Sequence, residues 1–367
     1  MSMVRGWCPG ALRPMESGDG WVVRIRPRGG RLDAAQAQAI ADAAEAHGNG
    51  IIELTGRANL QLRGVTPATH APLIAALRAH DLIDADIAAE TRRNVMVTPF
   101  ADAETDALAA ALEAALARSR LTLPAKFGFA VDTGPAPVLT SDPADIRIER
   151  GPQGLLLRAD GMTRATLLHD VRDALDLAQW FLDQGGAPEG RGRMAALVAD
   201  GPRPAATLPA PAPLAPFHPG LVPQGVLTGI EFGQIPPDAL RRLARLGPLR
   251  LTPWRMLLVQ GVRTLPAMAG LIPDARDPRL RLRACPGMPA CPRALAQTRP
   301  VALGLAELVP QDAVLHVSGC AKGCGWPRAA DITLTATPEG FDLIRHGRAA
   351  DPAALRGLHP DQLPKVL

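Results

Sequence analysis

Residues 54–65 read L-T-G-R-A-N-L-Q-L-R-G-V and residues 251–262 read L-T-P-W-R-M-L-L-V-Q-G-V, with five of the twelve positions identical. Each stretch ends one run of alternating apolar residues, turns, and begins another, the period-two pattern of paired, half-buried strands. Outward from the first stretch, residues 21–26 alternate as a strand, 33–47 follow a helical period, 50–54 and 59–63 form two strands, and a helix runs over 67–80. Outward from the second, residues 226–232 are strand-like and 236–246 helical, with proline at the helix start. Residues 249–252 and 255–259 are strands. A βαββα order occurring twice predicts an internal duplication.

The rest of the chain falls around these two units. Residues 201–224, G-P-R-P-A-A-T-L-P-A-P-A-P-L-A-P-F-H-P-G-L-V-P-Q, lack backbone donors at every proline and predict an extended strap. Residues 92–199 alternate strand and helix signals, with helices near 104–118 and 170–183, and predict an α/β lobe. After Arg281 a smaller lobe carries four cysteines and strands near 332–336 and 341–344. The expected units are 1–88, 89–200, the strap 201–224, 225–275 and 276–367.

Composition narrows the function. The chain has 367 residues, 47% of them apolar, enough for real cores. No stretch reaches the roughly 18 apolar residues of a membrane span. The longest candidate, 107–117, is broken by Glu113, and no apolar run follows Arg5, so a cytoplasmic protein is expected, with no membrane partner. The net charge of +4 is mild and tyrosine is absent, which argues against a nucleic-acid partner. Arginine supplies nearly all the positive charge. Lysine stands only at Lys126, Lys322 and Lys365, so each of these positions merits inspection.

The cysteines carry the strongest chemical signal. R-A-C-P-G-M-P-A-C-P and S-G-C-A-K-G-C-G-W-P set five residues between Cys285 and Cys291, and three between Cys320 and Cys324. Four thiolates in two close pairs can surround one soft metal centre. Structural zinc is the rival, but its pairs are usually two to four residues apart, and a five-residue gap holding Pro286 and Pro289 fits it poorly. Glycines beside Cys320 and Cys324 let amides approach cluster sulfurs, so an iron–sulfur cluster is the expectation. Cys8, in G-W-C-P-G, is left over, as a buried structural thiol or one facing substrate or iron.

The two cysteine pairs resemble the [4Fe-4S] motif of the sirohaem-dependent nitrite and sulfite reductase superfamily. So do T-G-R-A-N-L-Q (55–61), R-R-N-V-M-V-T (92–98) and L-P-A-K-F-G (123–128), which span almost the whole chain in the family's order. The resemblance implies an α+β fold: duplicated ferredoxin-like (βαββα) half-domains of the nitrite/sulfite reductase type, plus two α/β lobes, the C-terminal one carrying the cluster. Within the superfamily the chain is similar to the precorrin-3B synthases of aerobic cobalamin biosynthesis, in its short length, its R-G-W-C-P-G-A-L-R-P-M opening and the A-K-G between the last cysteines. That likeness implies precorrin-3A and O2 as substrates, hydroxylation at C20 with γ-lactone formation, and an electron donor, either an NAD(P)H-linked reductase or a ferredoxin. It also implies a mononuclear non-haem iron, whose ligands no spacing here reveals.

By the same resemblance Arg57 and Lys126 are catalytic candidates. Arg24, Arg26, Arg28, Arg57, Asn59, Gln61, Arg63, Arg92, Arg93, Lys126 and Lys322 are substrate-binding candidates, and Cys285, Cys291, Cys320 and Cys324 the metal ligands. Guanidinium forks suit a macrocycle with eight carboxylates. Arg24 and Arg26 share a strand face by alternation, which could equally be a solvated face. Asn59 and Gln61 could be turn amides, Lys126 a surface lysine and His316 a packed core histidine. In the reductases a second lysine follows Lys-Phe, where this chain has Gly128. A reductase remains the alternative, with sirohaem bridged by a cluster cysteine such as Cys324. A non-catalytic iron–sulfur carrier or tetrapyrrole-binding protein is the third reading.

Overall fold

The computed structural model describes residues 9–215 and 217–367. Cys8 lies outside them. The first repeat forms β1 (Met15–Ser17), β2 (Gly20–Ile25), β3 (Arg31–Leu32), α1 (Ala34–His47), β4 (Ile52–Leu54), β5 (Leu60–Val65) and α2 (Pro67–Arg78). Helix α1 starts at a capping box, in which the Gln36 amide donates to the Asp33 carboxylate at 2.7 Å and the Asp33 amide donates to Gln36 Oε1. This reciprocal pairing satisfies two of the helix's orphan donors.

The middle lobe holds α3 (Ile87–Arg92), β6 (Val95–Val97), α4 (Ala103–Arg118), β7 (Phe129–Asp132), β8 (Ile146–Gly151), β9 (Gly154–Ala159), β10 (Arg164–Leu167), α5 (Arg172–Asp183) and α6 (Met194–Asp200). Its six-stranded sheet runs β11-β10-β9-β8-β7-β6. The edge strand β11 (Leu208–Pro209) belongs to the proline-rich strap, whose extended backbone lets two residues add to β10. Glu113, which interrupts the apolar pattern of α4, is buried, and it accepts the Gly29 N–H at 3.2 Å.

The second repeat forms β12 (Gly220–Val222), β13 (Gly225–Ile230), β14 (Gln234–Ile235), α7 (Pro237–Leu246), β15 (Leu249–Leu251), β16 (Met256–Gln260) and β17 (Leu271–Ile272). The second repeat closes with β17 where the first has α2, so the expected second βαββα lacks its last helix, because residues 261–270 hold Gly261, Pro266 and Gly270. Over the shared part the duplication reaches backbone detail. Thr55 Oγ1 accepts the Arg57 amide, and its counterpart Thr252 Oγ1 accepts the Trp254 amide. Ala58 and Arg255, equivalent in the repeats, both hold φ above +50°.

The two repeats also exchange strands. The first sheet runs β1-β2-β5-β4-β14 and the second β12-β13-β16-β15-β3, so each half lends a two-residue strand to the other. Left-handed turns at Gly29–Gly30 and Phe232–Gly233 throw these strands across. Helices α1 and α7 pack together, with Arg241 bonded to Asp42 and Glu45. One core serves both halves, from Ile25, Ile40 and Leu62 to Leu240, Leu249 and Leu257.

The C-terminal lobe is a five-stranded sheet in chain order: β18 (Leu282–Ala284), β19 (Leu315–Ser318), β20 (Ala330–Thr337), β21 (Gly340–Gly347) and β22 (Leu355–Leu358). Helix α8 (Thr298–Gly304) covers one face. No helix among the described residues is long and apolar enough to cross a membrane.

Candidate functional site

The helices cover one face of the first sheet with Val23, Ile25, Leu60 and Leu62, all fully buried. Alternation therefore turns Arg24, Arg26 and Gln61 to the opposite face, over which an open cleft of about 520 Å³ lies. Five of the residues singled out above meet there: Arg24, Arg26, Arg57, Gln61 and Lys126. Gln61 Oε1 accepts from Arg24 Nη2 at 2.6 Å and from Nε at 3.1 Å, which fixes that guanidinium across the β2–β5 pair. Arg26 donates from Nη1 to the Glu90 carbonyl. Thr55, Asn94 and Arg193 complete the polar wall.

The other candidates stand elsewhere. Arg28 is exposed and paired with Asp81 at 2.8 Å. Arg63 is buried between Asp19 at 2.6 Å and Glu53 at 3.3 Å. Arg92 donates to the carbonyls of Leu116 and Ala117, closing the C-terminus of α4. Asn59 is buried, and its carbonyl closes the turn with the Thr55 amide at 2.8 Å. Arg93 forms a buried two-pronged pair with Asp84, at 2.7 and 2.8 Å, and its Nη2 donates to the Arg26 carbonyl at 2.9 Å. It therefore positions the strand end that presents Arg26. Lys322 is exposed between its cysteines.

Gly128 has a steric reason. A Cβ there would lie 2.7 Å from Asn94 Nδ2 and 3.3 Å from Arg57 Nη1. Asn94 Nδ2 already donates to the Phe127 carbonyl at 2.8 Å, so it cannot yield cheaply. Any side chain at this position would press on the arginine and amide of the cleft wall.

The equivalent face of the second sheet is closed. Trp254 stands where the first repeat has Arg57, and Leu258 where it has Gln61. Phe217 stacks on Trp254 with ring centroids 5.8 Å apart, and Phe100 packs on Phe217 at 4.5 Å. These rings cover Leu227, Met256 and Leu258. Only the first half keeps a polar, open face.

Trp254 Nε1 donates to Asp142 Oδ2 at 3.0 Å, beside Pro143 of the cleft. Burial pushes the Asp142 carboxyl up to about 6, and the indole N–H opposes it. The folded chain thus binds this proton more tightly than the unfolded chain does. The group's contribution to stability therefore falls as pH rises from about 4 to about 6. Tryptophan fluorescence is expected to titrate with a midpoint near pH 6, and the transition should vanish in Asp142→Asn. A titration unchanged in that variant would contradict the assignment.

The four C-terminal cysteines converge at the top of β18 and β19. Cys285 is buried, 4% exposed, and accepts the Gly319 N–H at 3.2 Å. Its thiol is pushed down to about 5, first by the bond from Cys324, against burial, and further by the amides of Gly319 and Gly287. Cys324 is raised, chiefly because it gives its hydrogen to Cys285, and the charges of Cys291 and Cys320 add to this. Gly325 lies so close that a Cβ would fall 2.6 Å from the Cys285 nitrogen. Four thiols, amide donors aimed at sulfur and close glycine backbone are the donor chemistry that suits a soft metal centre. Among the described residues no group of three or more His, Cys, Asp or Glu side chains is drawn close enough to hold a metal ion in the chain as it stands. No set for a mononuclear iron is assembled among them either.

One cysteine loop packs against the turn of the first sheet. A Cβ at Gly18, in the β1–β2 turn, would lie 3.0 Å from the Ala290 carbonyl, beside Cys291. The preceding strand carries Met15, a cleft residue. Beneath them His316 is fully buried with both ring nitrogens unpartnered, and burial, with Arg255 nearby, lowers it to about 4, so its ring is neutral.

Residue spacing gives no sign of Arg193, although G-R-G-R (190–193) does set two cations in a glycine-rich loop. Asn94 follows Arg93 within a motif read for its arginines alone.

Comparison with known proteins agrees with this geometry. Residues 13–80 match the nitrite/sulfite reductase ferredoxin-like half domain. The solved structure of Mycobacterium tuberculosis NirA protein superposes with a TM-score of 0.63 at 17% identity, over 94% of this chain and 79% of that one. The class is therefore the nitrite/sulfite reductase fold. A precorrin-3B synthase from Sinorhizobium sp is 31% identical over 393 aligned residues, covering 95% of this chain and 84% of that protein. The chain belongs to the precorrin-3B synthase family, and it is an enzyme of oxidoreductase type.

Proposed function

We propose that the chain converts precorrin-3A to precorrin-3B in the cytoplasm, where its thiols stay reduced. One atom of O2 enters as the C20 hydroxyl, and the ring-A acetate closes to the γ-lactone. The second oxygen atom leaves as water, formed with two electrons and two protons from an NAD(P)H-linked reductase or a ferredoxin. The carrying observation is the cleft in which Arg24, Arg26, Arg57 and Lys126 converge, in a chain of this family.

Each side chain has a task in that reading. Arg24, held by Gln61, and Arg26, held through Glu90 and Arg93, present fixed guanidinium groups to the carboxylates of the macrocycle. Fixed forks lose little entropy on binding. Arg57, whose Nη1 lies beside Gly128, orients the ring for reaction at one carbon. Lys126, exposed at the mouth, meets an anionic substituent or a reduced oxygen species. Cys285, Cys291, Cys320 and Cys324 hold an iron–sulfur cluster, which when bound supplies electrons singly. Gly18 packs against the Cys291 loop and so ties that lobe to the sheet that carries Arg24 and Gln61.

Replacing Arg57 with alanine removes a charge-assisted contact of about 1.5–3 kcal/mol. The KM for precorrin-3A is expected to rise at least tenfold in a steady-state assay. An unchanged KM and kcat would remove Arg57 from the site.

A further inference from the structure

Beside the cleft, across a wall made of Ala125, Lys126 and Arg193, lies a second cavity of about 480 Å³. Its remaining lining is Arg13, Pro124 and the loop from Glu189 to Gly192. Four cations and one carboxylate, Glu189, thus surround one concave space. Arg193 is tied back to Asp145 Oδ1 at 2.8 Å. The side chains of Arg13, Arg191 and Lys126 make no hydrogen bond or ion pair with a described residue. All three are exposed, so each can turn onto a ligand's carboxylate without giving up a partner.

The loop is shaped to face the cavity. Glu189 takes a left-handed φ of 52°, and a Cβ at Gly192 would fall 1.8 Å from the Gly186 carbonyl, so no side chain fits there. Like charges gathered on a concave wall repel one another unless an anion joins them. Lys126 and Arg193 line both cavities, so a ligand in the cleft lies one side chain away from this chamber.

We infer that the chamber is a second subsite for the same macrocycle, in which Arg13 and Arg191 take the carboxylates along one edge while its body lies in the cleft. This rests on the tetrapyrrole reading above. Two iron-free porphyrins separate the claims: uroporphyrin, with eight rim carboxylates, and coproporphyrin, with four.

Fluorescence-quenching titrations would compare the full-length wild type, Arg57→Ala, and the double variant Arg13→Ala/Arg191→Ala. The inference predicts that the double variant weakens uroporphyrin binding about tenfold or more and coproporphyrin binding much less. A double variant that binds uroporphyrin as the wild type does, while Arg57→Ala weakens it, overturns the subsite and leaves the tetrapyrrole reading standing. Equal losses for both porphyrins would also overturn it, since the extra rim carboxylates would then go unread. A wild type that binds neither porphyrin overturns both.

Discussion

Cys285→Ser is expected to lose bound iron, acid-labile sulfide and precorrin-3B formation together. A serine oxygen is a hard, weakly acidic donor in a place built for a soft thiolate. It would also be too short to meet the Gly319 N–H, which now reaches Cys285 Sγ at 3.2 Å. Because Cys285 is buried at the end of β18, the variant could fail for want of folding alone. Cys320→Ser guards against that. Cys320 is only partly buried, in a surface turn after β19, so this variant should keep its secondary structure by circular dichroism while losing iron, visible absorbance and activity. Iron and absorbance retained in both variants would contradict the ligand assignment.

The second large effect belongs to Gly128→Lys, which restores the residue type the reductases carry. A Cβ at 2.7 Å from Asn94 Nδ2 must push either that amide off the Phe127 carbonyl or the strand start at Phe129 away from the Asn94 carbonyl, now 2.9 Å distant. Overpacking of this kind costs about 1–3 kcal/mol. The functional cost is larger, because Arg57 Nη1 is displaced and misplacement of about 1 Å costs roughly a hundredfold in rate. We therefore expect conversion of precorrin-3A to fall about a hundredfold in a single-turnover assay, with a modest drop in Tm. Gly128→Ala should lie between the two. A lysine variant with wild-type turnover would show that the glycine is incidental.

What was legible in the sequence follows from the range of each interaction. The βαββ part common to both repeats is written in local periodicity, and the cysteine pairs in fixed spacing, so both could be read directly; the closing helix expected of each unit forms only in the first, as α2. The exchange of β3 and β14 could not, because two-residue strands carry no period and their partners lie some two hundred residues away. The arginines show the same limit. Alternation on β2 identified the face of Arg24 and Arg26, but only the folded chain shows that Asp19 and Glu53 engage Arg63, Asp81 engages Arg28, and helix carbonyls engage Arg92. Arg13, Asn94, Arg191 and Arg193 come from turns and loops, where no repeat marks a side chain as facing a cavity.

The asymmetry of the repeats also has a physical reading. Arg57 and Gln61 give the first sheet a polar face with room for a polyanion, while Trp254 and Leu258 let Phe100 and Phe217 seal the second. In the proposed function the first half binds substrate, while the second completes the shared core.

Single turnover of precorrin-3A under ¹⁸O2, with a chemical reductant and mass spectrometry of the macrocycle, reads the proposed oxygen insertion itself. The product is expected to be heavier by one oxygen atom that carries the label, formed by the wild type and not by Cys320→Ser. An unaltered macrocycle, recovered from a protein that instead reduces nitrite or sulfite, would contradict it.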